Sequence, residues 1–388
     1  MPETQGTVAT YHINDILPPE TLGSIFEEHA RLEWRAPAID GQVCRLWRQI
    51  TLNSPRVWTY LEIDYDIRPS LAQLRSWLRR SGAAPLHIRV YDDFMFDQPT
   101  STMGTLYHLL GEYHTRIASL RMGLGKLSFF DRRAFPCMRH LVVDNWAWRA
   151  TTLPTSQWGL MPQLQSLHIG ALDSSLMPLE GGFSLKILSL DGVNCTSLQQ
   201  HSQSLTTLML KDFSLETVFS HPVVFPLLTY LSLFNVTGLK PNMSTPCLTT
   251  YHEGGFTLLD SFSTPIQSLV EYGVYSRQLI GPYTTRWNHD FPNISRLSMR
   301  SELSNLVSLL EALAAKPQPF LALQVISLRD LDNIPTEDDN NLMHRHVQIR
   351  REASHVDTRV YFETARPYQV PILFANVTHP PNKWFVVY

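Results

Sequence analysis

From Ile117 onward the apolar residues fall in one repeated spacing, each followed by apolar residues three and five positions later. The triplets are Ile117/Leu120/Met122, Met138/Leu141/Val143, Leu164/Leu167/Ile169, Leu185/Leu188/Leu190, Leu205/Leu208/Leu210, Leu228/Leu231/Leu233, Ile294/Leu297/Met299 and Leu323/Ile326/Leu328. Leu248/Tyr251 and Ile266/Leu269 carry the first two positions and lose the third near Glu253 and Glu271, where a distorted repeat is expected. An apolar residue separated from the next by one polar residue is the alternation of a strand. A parallel crossover through a full helix needs roughly thirty residues or more. Spacings of twenty or twenty-one leave room for a strand, a turn and a short return, so the pattern predicts successive parallel strands with short connections. An open α/β sheet of ordinary buried strands is the alternative.

The mean spacing, about 23 residues, lies in the leucine-rich-repeat range. Pro136, Pro162, Pro226 and Pro292 shortly precede four of these strands. Where the repeat consensus places Asn or Cys, this chain has Leu172, Val193, Phe213 and Val236, so no asparagine ladder is expected and the bends should close by apolar packing. Ahead of the repeats, Tyr60–Ile63 and Leu86–Val90 alternate as strands, while Leu71, Leu74, Trp77 and Leu78 lie at helical spacing in a segment ended by Gly82. Tyr107, Leu110, Tyr113 and His114 predict a further helix, Pro335–Asp339 starts a closing helix and Arg359–Phe362 reads as a last strand.

The N-terminal stretch differs. Pro18 and Pro19 suit the first turn of a helix, Glu20 complements its dipole, and Leu22, Ile25 and Phe26 fall on one side. Val43, Trp47 and Ile50 form a second stripe, and Ser54-Pro55 breaks the chain before Val57 and Trp58. Three short helical pieces in about forty-five residues make little core of their own. Their order, Leu-Pro-x-Glu-x-Leu, Ile-Phe, Val-Cys-Arg-x-Trp-Arg and Ser-Pro-x-x-Trp, resembles an F-box of fungal type. That resemblance implies an α/β protein with a small three-helix F-box followed by an irregular, right-handed leucine-rich-repeat solenoid with its parallel strands on the concave face. The expected divisions are a mobile 1–11, the F-box at 12–60, the solenoid at 61–364 and a segment, 365–388, packing on the solenoid end. It also implies docking to a Skp-family linker, and through it to a cullin-RING ubiquitin ligase, by Leu17, Pro18, Leu22, Ile25, Phe26, Val43, Cys44 and Trp47. The connector from His29 to Gln42, with Trp34 and Pro37, departs from the family's shorter link. The alternative for this stretch is a helical cap covering the end of the repeats.

Alternation puts His140, Asp144, His168, Asp191, Lys211, Tyr230, Phe234, His252, Tyr272, Arg296, Arg300 and Arg329 on the face opposite the core. Aromatic and arginine side chains dominate protein interfaces, so Tyr230, Phe234, Tyr272, Arg296, Arg300 and Arg329 are the client-binding candidates, the arginines suited to an acidic or phosphorylated segment.

The 388 residues are 44% hydrophobic and 17% charged, with a net charge of −3. This balance gives no reason to expect nucleic acid or a membrane surface as partner. No eighteen-residue apolar run or secretory leader is read, which points to the cytoplasm or nucleus. Cys44, Cys137, Cys195 and Cys247 are scattered as free thiols are in a reducing compartment. His344-Arg345-His346 lacks the ligands of a metal site and the glycine pairs lack a phosphate-loop order, so neither catalysis, metal nor cofactor is expected. The reading is a non-catalytic substrate adaptor of an Skp-cullin-F-box ligase. The alternative is a leucine-rich scaffold unconnected to ubiquitin.

Overall fold

The computed structural model describes residues 16–63, 69–91, 101–123, 129, 133–144, 160–170, 176–177, 184–192, 194–195, 198–212, 222–236, 243–254, 266–275, 291–300, 322–329, 348 and 359–363. They form an α/β protein of parallel strands and a few helices that divides into two compact units, the first ending at Met138 and the second beginning at Arg139. The expected mobile N-terminus, the closing helix near Pro335 and the C-terminal segment lie outside the described residues.

The first unit opens with α1 (Pro19–Leu32), α2 (Ala36–Val43) and α3 (Arg45–Asn53), then a 3-10 turn at Pro55–Trp58. Proline is the first residue of α1 and of the 3-10 turn and the second of α2, where its missing N–H has no partner to lose. Pro37, expected in a connector, instead sits in the first turn of α2. Val43 is therefore the last residue of α2 and not part of a stripe with Trp47 and Ile50. The chain turns extended at Cys44, whose Sγ accepts the Trp47 N–H at 3.5 Å and starts α3. Strand β1 (Tyr60–Ile63), helix α4 (Leu71–Arg80), β2 (Leu86–Val90), α5 (Ser101–Gly111) and β3 (Ile117–Gly123) follow. A Ser70/Gln73 capping box starts α4, and Gly82, at φ +55°, lets the chain leave it.

In the second unit the long strands are β4 (His140–Asp144), β5 (Ser166–Gly170), β7 (Ile187–Asp191), β9 (Thr207–Lys211), β11 (Tyr230–Phe234), β13 (Thr250–Gly254), β14 (Glu271–Tyr275), β15 (Arg296–Arg300), β16 (Val325–Arg329) and β17 (Arg359–Glu363). Each lies parallel beside the next in chain order, without closing into a barrel. Two-residue strands pair between them: β6 (Leu176–Met177) with β8 (Asn194–Cys195), and β10 (Val223–Val224) with β12 (Met243–Ser244).

Register is fixed at both strand ends. Ahead of several strands one carbonyl accepts two backbone N–H groups from the next repeat: Lys186 from Thr206 and Thr207, Thr206 from Thr229 and Tyr230, Thr229 from Thr249 and Thr250. The hydroxyls of Thr206, Thr229 and Thr249 join the same carbonyls, 20, 23 and 20 residues back. After three strands comes a residue at positive φ: Gly192 (72°), Asp212 (51°) and Asn235 (50°), types that tolerate the left-handed conformation. Their N–H groups donate to Lys211, Phe234 and Gly254, and Asn235 Nδ2 donates to Asp212 Oδ1 at 2.9 Å. Polar bonding thus helps to close these bends; of the residues expected to close them by apolar packing, Val236 is buried, and Leu172, Val193 and Phe213 lie outside the described residues.

A further buried column precedes the triplets. Met161, Phe225, Thr245, Ile266 and Phe291 are buried, and the carbonyls of the first four accept from the N–H three residues on, closing a turn. Ile266 belongs to this turn column, so the triplet there is Leu269/Tyr272/Val274 and not one beginning at Ile266.

Candidate docking site

Three aromatic contacts hold the helical part of the first unit. Leu22, Phe26 and Ala30 form the buried side of α1, with Phe26 against Trp47 at 4.7 Å between ring centroids. Trp58 donates its indole N–H to the Thr51 carbonyl at 2.9 Å and meets Trp77 of α4 at 5.7 Å, and Trp34 meets Trp77 at 5.4 Å. Trp34, in the segment expected to be a connector, thus ties the helices to α4. His29 and Asp40 face each other at 3.1 Å, joining α1 to α2. Burial pushes the Asp40 carboxyl above the usual carboxylate range, against the opposing pull of His29.

The residues expected to dock a linker divide. Val43 (59%) and Ile25 (47%) are exposed, as is Pro18; Leu17, Cys44 and Trp47 are half-buried. Leu22 and Phe26 are each 1% exposed and belong to the bundle's own interior, Phe26 against Trp47 of α3. Sequence reasoning missed four exposed apolar side chains: Ile16, Leu32, Ile39 and Leu52. Ile39 and Val43, four apart on α2, share a flank, as do Ile25 and Leu32 on α1. Their spacing was visible, but it counts only once residues 36–43 are known to be helical. On the other side of α1, an open groove of about 570 Å³ runs against α3 and the 3-10 turn, floored by Gly23, Ile50 and Val57.

On the sheet face of the second unit the expected parity holds except at Tyr272, and the expected exposure does not hold in the middle of the strands. The column Val142–His168–Ser189–Met209–Ser232–His252–Gly273 alternates with the leucine columns, yet these residues are buried too. His168 Nδ1 and Ser189 Oγ lie 2.7 Å apart, and Tyr230 Oη and His252 Nδ1 3.1 Å apart. Tyr230 is accordingly buried rather than presented. Tyr272 is on the other face: register places it beside Tyr251 and Leu297, in the core column. Phe234 is half-buried and Arg296 exposed. Arg300 and Arg329 stand opposite one another in β15 and β16, but their side chains, like that of Asp144, lie outside the described residues. Lys211 pairs with Asp191 at 2.7 Å, and burial raises the Asp191 carboxyl although Lys211 acts to lower it.

Glu253 occupies a core column beside Leu233 and Val274. Its carboxylate accepts the hydroxyl of Tyr251 at 2.8 Å and that of Tyr272, and Phe291 packs on both rings. The expected distortion does not occur at this repeat, because two phenols satisfy the buried carboxylate where an aliphatic side chain would sit.

Among the described residues no group of three His, Cys, Asp or Glu side chains could hold a metal ion, and no helix is long and apolar enough to cross a membrane. No family model matches the chain, and no curated protein matches it either.

Proposed function

We propose that this chain is a non-catalytic substrate adaptor of an Skp-cullin-F-box type ubiquitin ligase. In this reading the helices of residues 16–58 are an F-box that docks a Skp-family linker, and the strands behind them form an irregular, right-handed leucine-rich-repeat solenoid that holds a client. The adaptor would act by raising the effective concentration of the client near the ligase's partner enzyme. One observation carries the docking half. Among the described residues, six of ten exposed large hydrophobic side chains fall between Ile16 and Leu52, a concentration that a cap covering its own chain would have buried. The client half rests on Phe234 and Arg296 and on the aligned Arg300 and Arg329. Cytoplasm or nucleus is the compartment this function requires.

The test is capture of a purified Skp-family linker by the full chain and by Ile25→Asp/Val43→Asp, in which two exposed side chains are changed. If each contributes about 1.5 kcal/mol when buried in the complex, the double variant binds roughly a hundredfold more weakly. Leu22 is unsuitable for this purpose, since its loss opens the bundle. No capture by the unaltered chain, or equal capture by the double variant, favours a leucine-rich scaffold unconnected to ubiquitin.

A further inference from the structure

A second groove, of about 300 Å³, lies between α2, α3 and α4, with Pro37, Thr51, Trp58 and Trp77 beneath it and Arg48, Leu52 and Arg80 at its rim. No carboxylate lines it. Arg48 donates Nε to the Gly41 carbonyl at 2.8 Å, and Arg80 lies over the Trp58 ring at 4.7 Å. Neither guanidinium is in an ion pair among the described residues, whereas Arg31, Arg56 and Arg89 in the same unit each have a glutamate within 4 Å. Leu52, 46% exposed, shares a helix face with Arg48.

These features specify a ligand. Two cations without counter-charges call for acid, and guanidinium holds carboxylate through paired hydrogen bonds. Both arginines are already held in place, one by a carbonyl and one by an indole face, so less side-chain freedom is lost on binding. The volume is at the lower limit for a small-molecule pocket and admits one or two side chains rather than a cofactor. Leu52 adds an apolar contact beside the charges. From this we infer that the groove receives a short acidic segment of another protein, carrying one apolar side chain between carboxylates. The groove shares Leu52 with the exposed apolar set between Ile16 and Leu52 but uses none of Ile25, Leu32, Ile39 or Val43, so the Ile25→Asp/Val43→Asp variant separates the two surfaces.

The experiment uses the full chain and a fluorescein-labelled peptide with one leucine between pairs of glutamates, followed by anisotropy. Two control peptides replace the leucine by serine or the glutamates by glutamines. Saturable binding that falls about tenfold with either control, with Arg48→Glu/Arg80→Glu and with Leu52→Ser supports the site. Should the double charge reversal unfold, as read by circular dichroism, Leu52→Ser and the control peptides still decide. Absence of saturable binding, equal binding of the glutamine peptide, or equal displacement by a single-stranded oligonucleotide overturns it; the last would make the groove a general polyanion site.

Discussion

Gly273→Ala is the most direct challenge to the packing described for the sheet's second face. A Cβ built at Gly273 comes to 2.5 Å from His252 Cδ2, 2.9 Å from Cγ and 3.0 Å from Nε2, which is closer than real atoms approach. The backbone at this strand position does not require glycine, so the cost arises from space alone. The imidazole must swing away, and its 3.1 Å contact with the Tyr230 hydroxyl is then lost inside the protein. Overpacking of this kind costs about 1–3 kcal/mol, and the broken buried hydrogen bond about 0.5–1.5 kcal/mol more. Urea unfolding should therefore show Gly273→Ala destabilised by roughly 2–4 kcal/mol. The decisive measurement is the cycle with His252→Ala, which removes the obstructing ring. In that background Gly273→Ala should cost less than about 1 kcal/mol, leaving a coupling near 2 kcal/mol. An equal penalty in both backgrounds would refute the reasoning.

Other expectations follow from the same structure. Phe26→Ala, at a 1% exposed site against Trp47, should destabilise the first unit by about 3–5 kcal/mol, read as early loss of Trp fluorescence change on denaturation. Asp191 has a carboxyl raised by burial, so the folded protein binds its proton more tightly than the unfolded chain does. Its contribution is full below the unfolded value near 3.8 and is lost as pH rises through the folded value. The stability of the native chain relative to Asp191→Asn should thus fall as pH rises above about 3.8; a rise would mean that Lys211 outweighs burial. Glu253→Leu together with Tyr251→Phe and Tyr272→Phe should be tolerated to within about 1–2 kcal/mol, whereas Tyr251→Phe/Tyr272→Phe alone should cost more by leaving the carboxylate without its phenols. Urea midpoints of the two variants decide which.

The leucine triplets were readable because aliphatic residues three and five apart leave few other assignments. The slip at Ile266 has a physical cause: a turn column also uses bulky apolar residues three before the triplet, and Tyr272 fills a core position that an aliphatic rule passes over. Parity along a strand told which residues oppose the leucines, but not that His168, Ser189 and His252 are enclosed. Enclosure depends on neighbours far away in sequence. In the helical part, apolar spacing found Leu22, Ile25 and Phe26 together yet could not separate those facing their own bundle from Ile25, which faces out. Pro37 and Gly41, which read as breaks, concealed a helix whose flank carries Ile39 and Val43.

The shared carbonyls ahead of the strands tie the start of one strand to the repeat before it, and the bends after three strands tie the end to the repeat that follows, so these bonds run between neighbouring repeats. Lys186 guides Thr206, Thr206 guides Thr229, and Thr229 guides Thr249. A segment of about twenty residues running from one such threonine to the next carries both its own anchor and the anchor for its successor. Duplication or loss of that segment would lengthen or shorten the array without disturbing the pairing elsewhere, so the reach of the sheet can change by copying while its grammar stays fixed.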